Sequence, residues 1–291
     1  MRADTLRELT ATRVERPEAI AEAAAARTRP ASPLGEHGKA MIIAADHPAR
    51  GALRSGDRPM AMADRADLLD RLCAALARPG VTGVLGTADI LEDLLLLGAL
   101  EGKTAIGSMN RGGLTGAAWE IDDRFTGYDA AGLRAMRFEG GKMLLRLHYG
   151  DPRTADTMEA CAHAVDELNT AGLTAMVEPF ISHTVDGAVK NDLSPDAVAR
   201  SVAIGSGLGR TTAHTWLKLP VVDEMERVVA GSTLPVVLLG GELSADPDAA
   251  YARWAEALKL PTVKGLTVGR SLLYPADDDV VGAVDTAVGL L

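Results

Sequence analysis

The sequence predicts an α/β fold, specifically a (β/α)8 barrel with an extra N-terminal helix. Two observations support this. Eight short apolar runs alternate with helix-like segments, which is the pattern of repeated β-α units. In several of those runs the ionisable residues share one strand parity, so each strand would keep its polar groups on a single face. A doubly wound open sheet is the competing architecture, since it is built from the same units.

The opening stretch "MRADTLRELTATRVERPEAIAEAAAARTRP" is rich in arginine but also carries Asp4, Glu8, Glu15, Glu18 and Glu22. It has no apolar central region, so it reads as an extra helix (residues 1–35) ahead of the barrel rather than as a targeting segment. The predicted strands are 40–46, 83–86, 103–107, 142–149, 173–179, 214–219, 234–240 and 263–269. Helical patterns fill the intervals, several opened by Asp, Ser or Thr and closed by glycine. Gly205-Ser-Gly-Leu-Gly209 imitates a dinucleotide loop, but it ends a helical pattern instead of following a strand, so no nicotinamide site is expected. No repeat, low-complexity tract or linker divides the chain, and residues 1–291 read as one domain. The connection Ser108 to Tyr128 is long, and such loops at the C-terminal face of a barrel usually shape the active site.

Composition narrows the function. The 291 residues are 47% hydrophobic and 24% charged, with a formal charge of −10. That charge disfavours a general role on nucleic acid or anionic membrane and leaves room for a local anion site. Cys73 and Cys161 lie far apart in sequence, without metal-ligand spacing, so no metal is expected and a cytoplasmic location fits. The leucine-rich run "ILEDLLLLGAL" is too short to cross a bilayer.

If the polar parity faces the barrel interior, Asp46, Lys142, Arg146, His148, Glu178 and Lys218 converge on one cavity. A lysine there has a specific use: its neutral amine attacks a ketone or aldehyde to give an iminium ion, an electron sink for making or breaking a neighbouring carbon–carbon bond. Neutralising a lysine of ordinary pKa ~10.4 takes burial and a nearby cation. Lys142, with Arg146 adding to it, is the expected cation near Lys218. Glu178, raised by apolar neighbours, is the expected proton shuttle, and Asp46 would position hydroxyls or assist. Separately, "LLGGE" supplies Gly240 and Gly241, and "TVGRS" supplies Gly269 and Arg270. Glycines admit an anion to backbone N–H groups and arginine offers a fork to phosphate, at the loops where barrels often bind it.

The ordered set "AADHP", "KMLLRLHYGD", "MVEP", "WLKLP", "LLGG" and "VGRS", over roughly residues 40 to 275, resembles the metal-independent class I aldolases. These include tagatose-1,6-bisphosphate, sulfofructose-phosphate and archaeal-type fructose-bisphosphate aldolases. The resemblance implies Lys218 as the Schiff-base lysine, Lys142 as its cationic neighbour and Glu178 as the acid/base. It also implies Gly241, Gly269 and Arg270 as phosphate ligands and Asp46 as a substrate-site carboxylate. No cofactor is implied; a phosphorylated small-molecule substrate and a homo-oligomer are expected. "HYGD" stands where sugar-bisphosphate members have "YYD", so His148 alters the site wall, and the non-phosphate end of the substrate is expected to be read by the Ser108–Tyr128 loop with Arg146 and His148. The chain further resembles an actinobacterial subgroup linked to inositol breakdown, which implies cleavage of 6-phospho-5-dehydro-2-deoxygluconate to dihydroxyacetone phosphate and malonate semialdehyde.

Each residue also has a purely structural explanation. Lys218 can be a strand-end lysine reaching solvent, and Lys142 a solvated residue opening its strand. Glu178 can cap a turn, and Arg270 can pair with Asp277-Asp278-Asp279. His148, His183 and His214 have no metal-ligand spacing and read as hydrogen-bonded structural histidines. Two functional alternatives stay open: another imine enzyme (transaldolase, dehydratase or thiolase-like acyl transferase), or a non-catalytic barrel that binds a sugar phosphate.

Overall fold

The strands are β1 (Ala40–Ala44), β2 (Gly83–Gly86), β3 (Thr104–Ser108), β4 (Gly140–Leu147), β5 (Thr174–Val185), β6 (Ala188–Asn191), β7 (Thr215–Pro220), β8 (Val236–Leu239) and β9 (Val263–Val268) in a computed structural model that describes residues 3–241 and 246–291. Their order is β4-β3-β2-β1-β9-β8-β7-β5, and β4 pairs again with β5, so eight parallel strands close into a barrel. Closure excludes the open sheet and leaves no free edge among these strands. β6 is the addition to the predicted set: β5 continues past Pro179 and folds back with β6 as an antiparallel hairpin at the barrel mouth.

Side-chain alternation sorts the strands as their parity predicts. Ala40, Ile42, Ala44, Leu85, Ile106, Met176 and Val237 fill the interior, with Trp216 and Leu34 packed against them. Met41, Ile43, Met143, Leu145, Val177, Leu217 and Leu219 face outward into the larger core shared with the helices. His214 is the exception in the predicted strands: it precedes β7 and is exposed at the end of the barrel where the strands begin.

The surrounding helices are α3 (Arg65–Leu76), α4 (Ala88–Leu96), α5 (Ala130–Ala135), α6 (Arg153–Thr170), α7 (Pro195–Ser206), α8 (Met225–Val229), α9 (Pro247–Leu258), α10 (Arg270–Leu273) and α11 (Val280–Val288). Asp64, Asp129, Ser194, Asp246 and Asp279 each accept a backbone N–H three residues on, satisfying one of the orphan donors at a helix start. Asp279 therefore caps α11, and Asp278 is held by Arg58 and Arg71, not by Arg270. Among the described residues, no helix is long and apolar enough to cross a membrane.

Ahead of the barrel stand two helices rather than one, α1 (Ala3–Glu15) and α2 (Ala19–Ala26). Pro17, which has no N–H to donate, lies in the turn between them. Arg13 fastens α1 to α4 through Glu92 at 2.9 Å and Asp93 at 2.8 Å. Arg27, only 2% exposed, enters beneath the barrel. It donates to the carbonyls of Lys103 (2.7 Å) and Arg137 (2.6 Å) and to Glu139 Oε1 (2.8 Å). Replacing Arg27 by Met strands the two buried carbonyls and leaves Glu139 to Arg29, 2.8 Å away, so chemical denaturation should show a loss of about 2–5 kcal/mol. Arg27→Lys should recover only part of it, because a point ammonium cannot span the three acceptors.

Candidate active site

Four of the strands deliver charge to the mouth. On β5 and β7, Met176 pairs with Trp216 and Val177 with Leu217; continuing that register sets Glu178 beside Lys218. On β4 and β5, Lys142 pairs with Met176, one inner layer below Glu178. Its long side chain rises to reach the carboxylate. Asp46 lies just past the end of β1, and Ser108 ends β3.

The result is a buried ionic cluster. Lys218 Nζ donates to Glu178 Oε1 at 2.8 Å, and Lys142 Nζ contacts Glu178 Oε2 closely. Lys142 Nζ also lies 3.3 Å from Asp46 Oδ2, which accepts from Ser108 Oγ at 3.0 Å. Arg111 completes the group, with a guanidinium nitrogen 2.9 Å from Asp46 Oδ2 and two bonds to the Asp46 carbonyl. Asp46 and Lys142 are each 1% exposed, Lys218 4% and Glu178 7%. The alternative of a solvated Lys142 is therefore excluded, and Lys218 does not reach solvent.

Burying so many charges is costly unless they neutralise one another, and the pKa directions show that they do. Burial alone would raise both carboxyls. For Asp46, Arg111 and Lys142 outweigh that effect and hold it well below the usual range. For Glu178, the two lysines do the same. This corrects the expectation that apolar neighbours raise Glu178: the dominant neighbours are cations, and Glu178 rests as a carboxylate. Lys142 is shifted down, chiefly by burial, against the pull of Asp46 and Glu178 and with help from Arg111 and Lys218.

Arg146 does not join the lysines. Its fork is taken by Asp123, at 2.8 and 2.6 Å, and it also contacts the Glu120 carbonyl. It thus fastens the 108–128 connection over β4, and the guanidinium that adds to the lysine cluster is Arg111. Asn110 pins the same loop, donating to the Leu144 carbonyl at 2.6 Å and accepting from Leu144 N–H at 2.7 Å. His148, at the rim, ties β4 to the β5-β6 hairpin: with Nδ1 accepting from Gly150 N–H at 3.2 Å, Nε2 carries the proton and donates to Thr184 Oγ1 at 3.1 Å.

The two glycine-bearing turns meet on the other side of the mouth. A Cβ on Gly240 would lie 2.5 Å from Val268 Cγ1, so the turns after β8 and β9 approach closely only because the residue is glycine. Gly241 adopts φ +68°, a conformation that favours glycine, while Gly269 is buried against the Ala44 carbonyl. Arg270 opens α10 and donates to the Arg54 carbonyl at 3.4 Å. Ser271 Oγ, beside Gly240, is buried without a hydrogen-bond partner among the described residues.

His47 bridges the two halves. Its Nδ1 stands 3.9 Å from Asp46 Oδ1, and both atoms are buried without a hydrogen bond among the described residues. Burial drives its imidazole to the neutral form; Arg270, Arg111 and Lys218 reinforce this against Asp46. His47, Ser108, Arg111 and Ser271 were not singled out from sequence. His47 and Ser271 adjoin residues that were, within "AADHP" and "VGRS", whereas Arg111 sits in a loop with no periodic signal. Among the described residues, no cluster of His, Cys, Asp and Glu is arranged to hold a metal ion.

Comparison with known proteins adds kinship. The crystal structure of Cgl0159 from Corynebacterium glutamicum is 53% identical, with a TM-score of 0.96 over 100% of this chain and 97% of that one. A Schiff base-forming fructose-1,6-bisphosphate aldolase is 18% identical, with a TM-score of 0.67 over 93% and 99% of the two chains. A fructose-bisphosphate aldolase from Slackia heliotrinireducens is 17% identical, with a TM-score of 0.63 over 87% and 86%. At such identities the aldolases share the barrel fold with this chain and define no chemistry for it. No functionally curated protein matches. The Cgl0159-like family model, in contrast, matches residues 38–288, and the chain belongs to that family.

Proposed function

We propose that this chain is a metal-independent class I aldolase that works through an imine on Lys218. The observation that supports it is the buried Lys142–Glu178–Lys218 arrangement at the mouth of an aldolase-like barrel. Lys142 is locked between two carboxylates one layer down, whereas among the described residues Lys218 has Glu178 as its one carboxylate partner and is the more exposed of the two lysines. Glu178 takes a proton from Lys218, whose amine attacks the substrate ketone to give a carbinolamine. Returning that proton expels water and leaves an iminium ion. Cleavage of the neighbouring carbon–carbon bond sends its electrons into the iminium and releases an aldehyde; protonation of the enamine and hydrolysis then free the ketone.

The substrate is a phosphorylated keto-sugar or keto-acid whose phosphate lies against Gly240, Gly241, Gly269 and Arg270, and dihydroxyacetone phosphate is the ketone product. Within that class, 6-phospho-5-dehydro-2-deoxygluconate is the candidate, in a cytoplasmic homo-oligomer of the inositol-breakdown subgroup. Borohydride reduction in the presence of dihydroxyacetone phosphate, followed by peptide mass spectrometry, should place the adduct on Lys218. An adduct on Lys142, or none, would overturn the assignment.

A further inference from the structure

Three guanidiniums, those of Arg50, Arg111 and Arg146, line the wall formed by the turn after β1, the connection after β3 and the end of β4. β3 and β4 stand opposite β8 and β9 in the barrel, so Arg111 and Arg146 lie across the mouth from the Gly240–Arg270 turns, and Arg50 reaches over to their side from the turn after β1. Arg111 is consumed by Asp46, and Arg146 by Asp123 and the Glu120 carbonyl. Arg50 differs. Its Nε donates to the Gly113 carbonyl at 3.0 Å, and its nearest carboxylate, Glu120, is 4.0 Å away. A guanidinium has five N–H bonds, so among the described residues most of this fork has no strong acceptor, although the side chain is only 16% exposed.

Arg50 is also rigidly placed. It ends a short 3-10 turn, Pro48–Arg50, and its carbonyl accepts from Thr115 N–H at 2.9 Å. The Nε bond and this backbone bond clamp it to the loop from both sides. Burial, Arg146 and Arg111 push its pKa down to about 10, against the opposing pull of Asp123 and Glu120. A cation in this position gains from any anion that arrives.

We infer that Arg50 reads a carboxylate at the end of the substrate opposite the phosphate. The charge balance selects this class. Across the connected site Arg50, Arg111, Arg146, Lys142 and Lys218 face Asp46, Glu120, Asp123 and Glu178. One positive charge is left over, which fits a monoanionic carboxylate better than a phosphate dianion. The planar fork also matches two carboxylate oxygens. The aldehyde released by cleavage would then be an aldehyde-acid. The inference rests on the aldolase reading and assigns the residue that holds the acid end of the keto-acid proposed there.

The test runs the reaction in the direction of synthesis, with dihydroxyacetone phosphate and three acceptors: 3-oxopropanoate, its methyl ester and glyceraldehyde 3-phosphate. Wild-type protein should prefer the acid over the ester in kcat/KM. In Arg50→Gln that preference should fall about 10- to 100-fold, mainly through KM for the acid, with partial recovery in Arg50→Lys. Equal loss on acid and ester would make Arg50 only a loop clamp, and a preference for the phosphorylated aldehyde would assign the wall to phosphate; either overturns the inference. If dihydroxyacetone phosphate leaves no reducible adduct on wild-type Lys218, the aldolase reading fails instead. Calorimetry with 3-hydroxypropanoate then still decides the carboxylate site: weaker binding to Arg50→Gln supports it, and equal binding refutes it.

Discussion

Lys218→Met should be inactive, with kcat/KM falling by at least ~10⁴-fold and no borohydride-trappable adduct on any lysine. Lys218→Arg is the sharper variant. It keeps the positive charge beside Glu178, but a guanidinium does not form the imine. If the Arg variant retained substantial turnover, Lys218 would be acting as a charge and not as a nucleophile. Folding should survive in both, because Glu178 still contacts Lys142 after Lys218 is changed. We expect a stability loss of only about 1–3 kcal/mol in the Met variant, measured by denaturant titration. Retained binding of the phosphorylated ketone without turnover, alongside an intact melting transition, would separate lost chemistry from lost structure.

The inner face of the barrel was legible because strand parity is a rigid geometric rule. Asp46, Lys142, Glu178 and Lys218 lie at same-parity positions of their strands, and closing the sheet makes those positions converge. What parity could not supply was the partner of each charge. Arg146 shares the inward parity of Lys142, yet Asp123 reaches it from a loop 23 residues away in sequence. Nothing in strand periodicity encodes that contact. The same blindness hid Arg111, which approaches Asp46 from the β3 loop, and reversed the expected direction for Glu178. A glutamate between Val177 and Pro179 looks apolar in sequence, while in space it lies between two ammonium groups. Pro179 likewise argued for a strand end, but β5 keeps its pairing with β4 through Ile181 and then turns back with β6.

Glu178→Gln should be the most damaging change to site and fold together. The carboxylate is the shared counter-ion of Lys142 and Lys218 and the proposed carrier of the Lys218 proton. An amide can neither neutralise two ammoniums nor exchange a proton. Turnover should fall about 10²- to 10⁴-fold, and the buried Lys218, left without its carboxylate while Lys142 keeps Asp46, should remove about 3–5 kcal/mol of stability. Acid gives an independent check. Burial opposes ionisation of Glu178, but Lys142 and Lys218 prevail and lower its pKa from 4.5 to about 2. Below 4.5 the unfolded carboxyl therefore takes up a proton before the folded one does. The stabilisation from Glu178 is complete above that pH and fades as pH falls toward about 2. Urea titrations of wild type and Glu178→Gln should accordingly differ most near neutrality and converge as pH falls toward about 2. A gap that stayed constant from neutrality to pH ~3 would mean that the charge of Glu178 is not what holds the lysines.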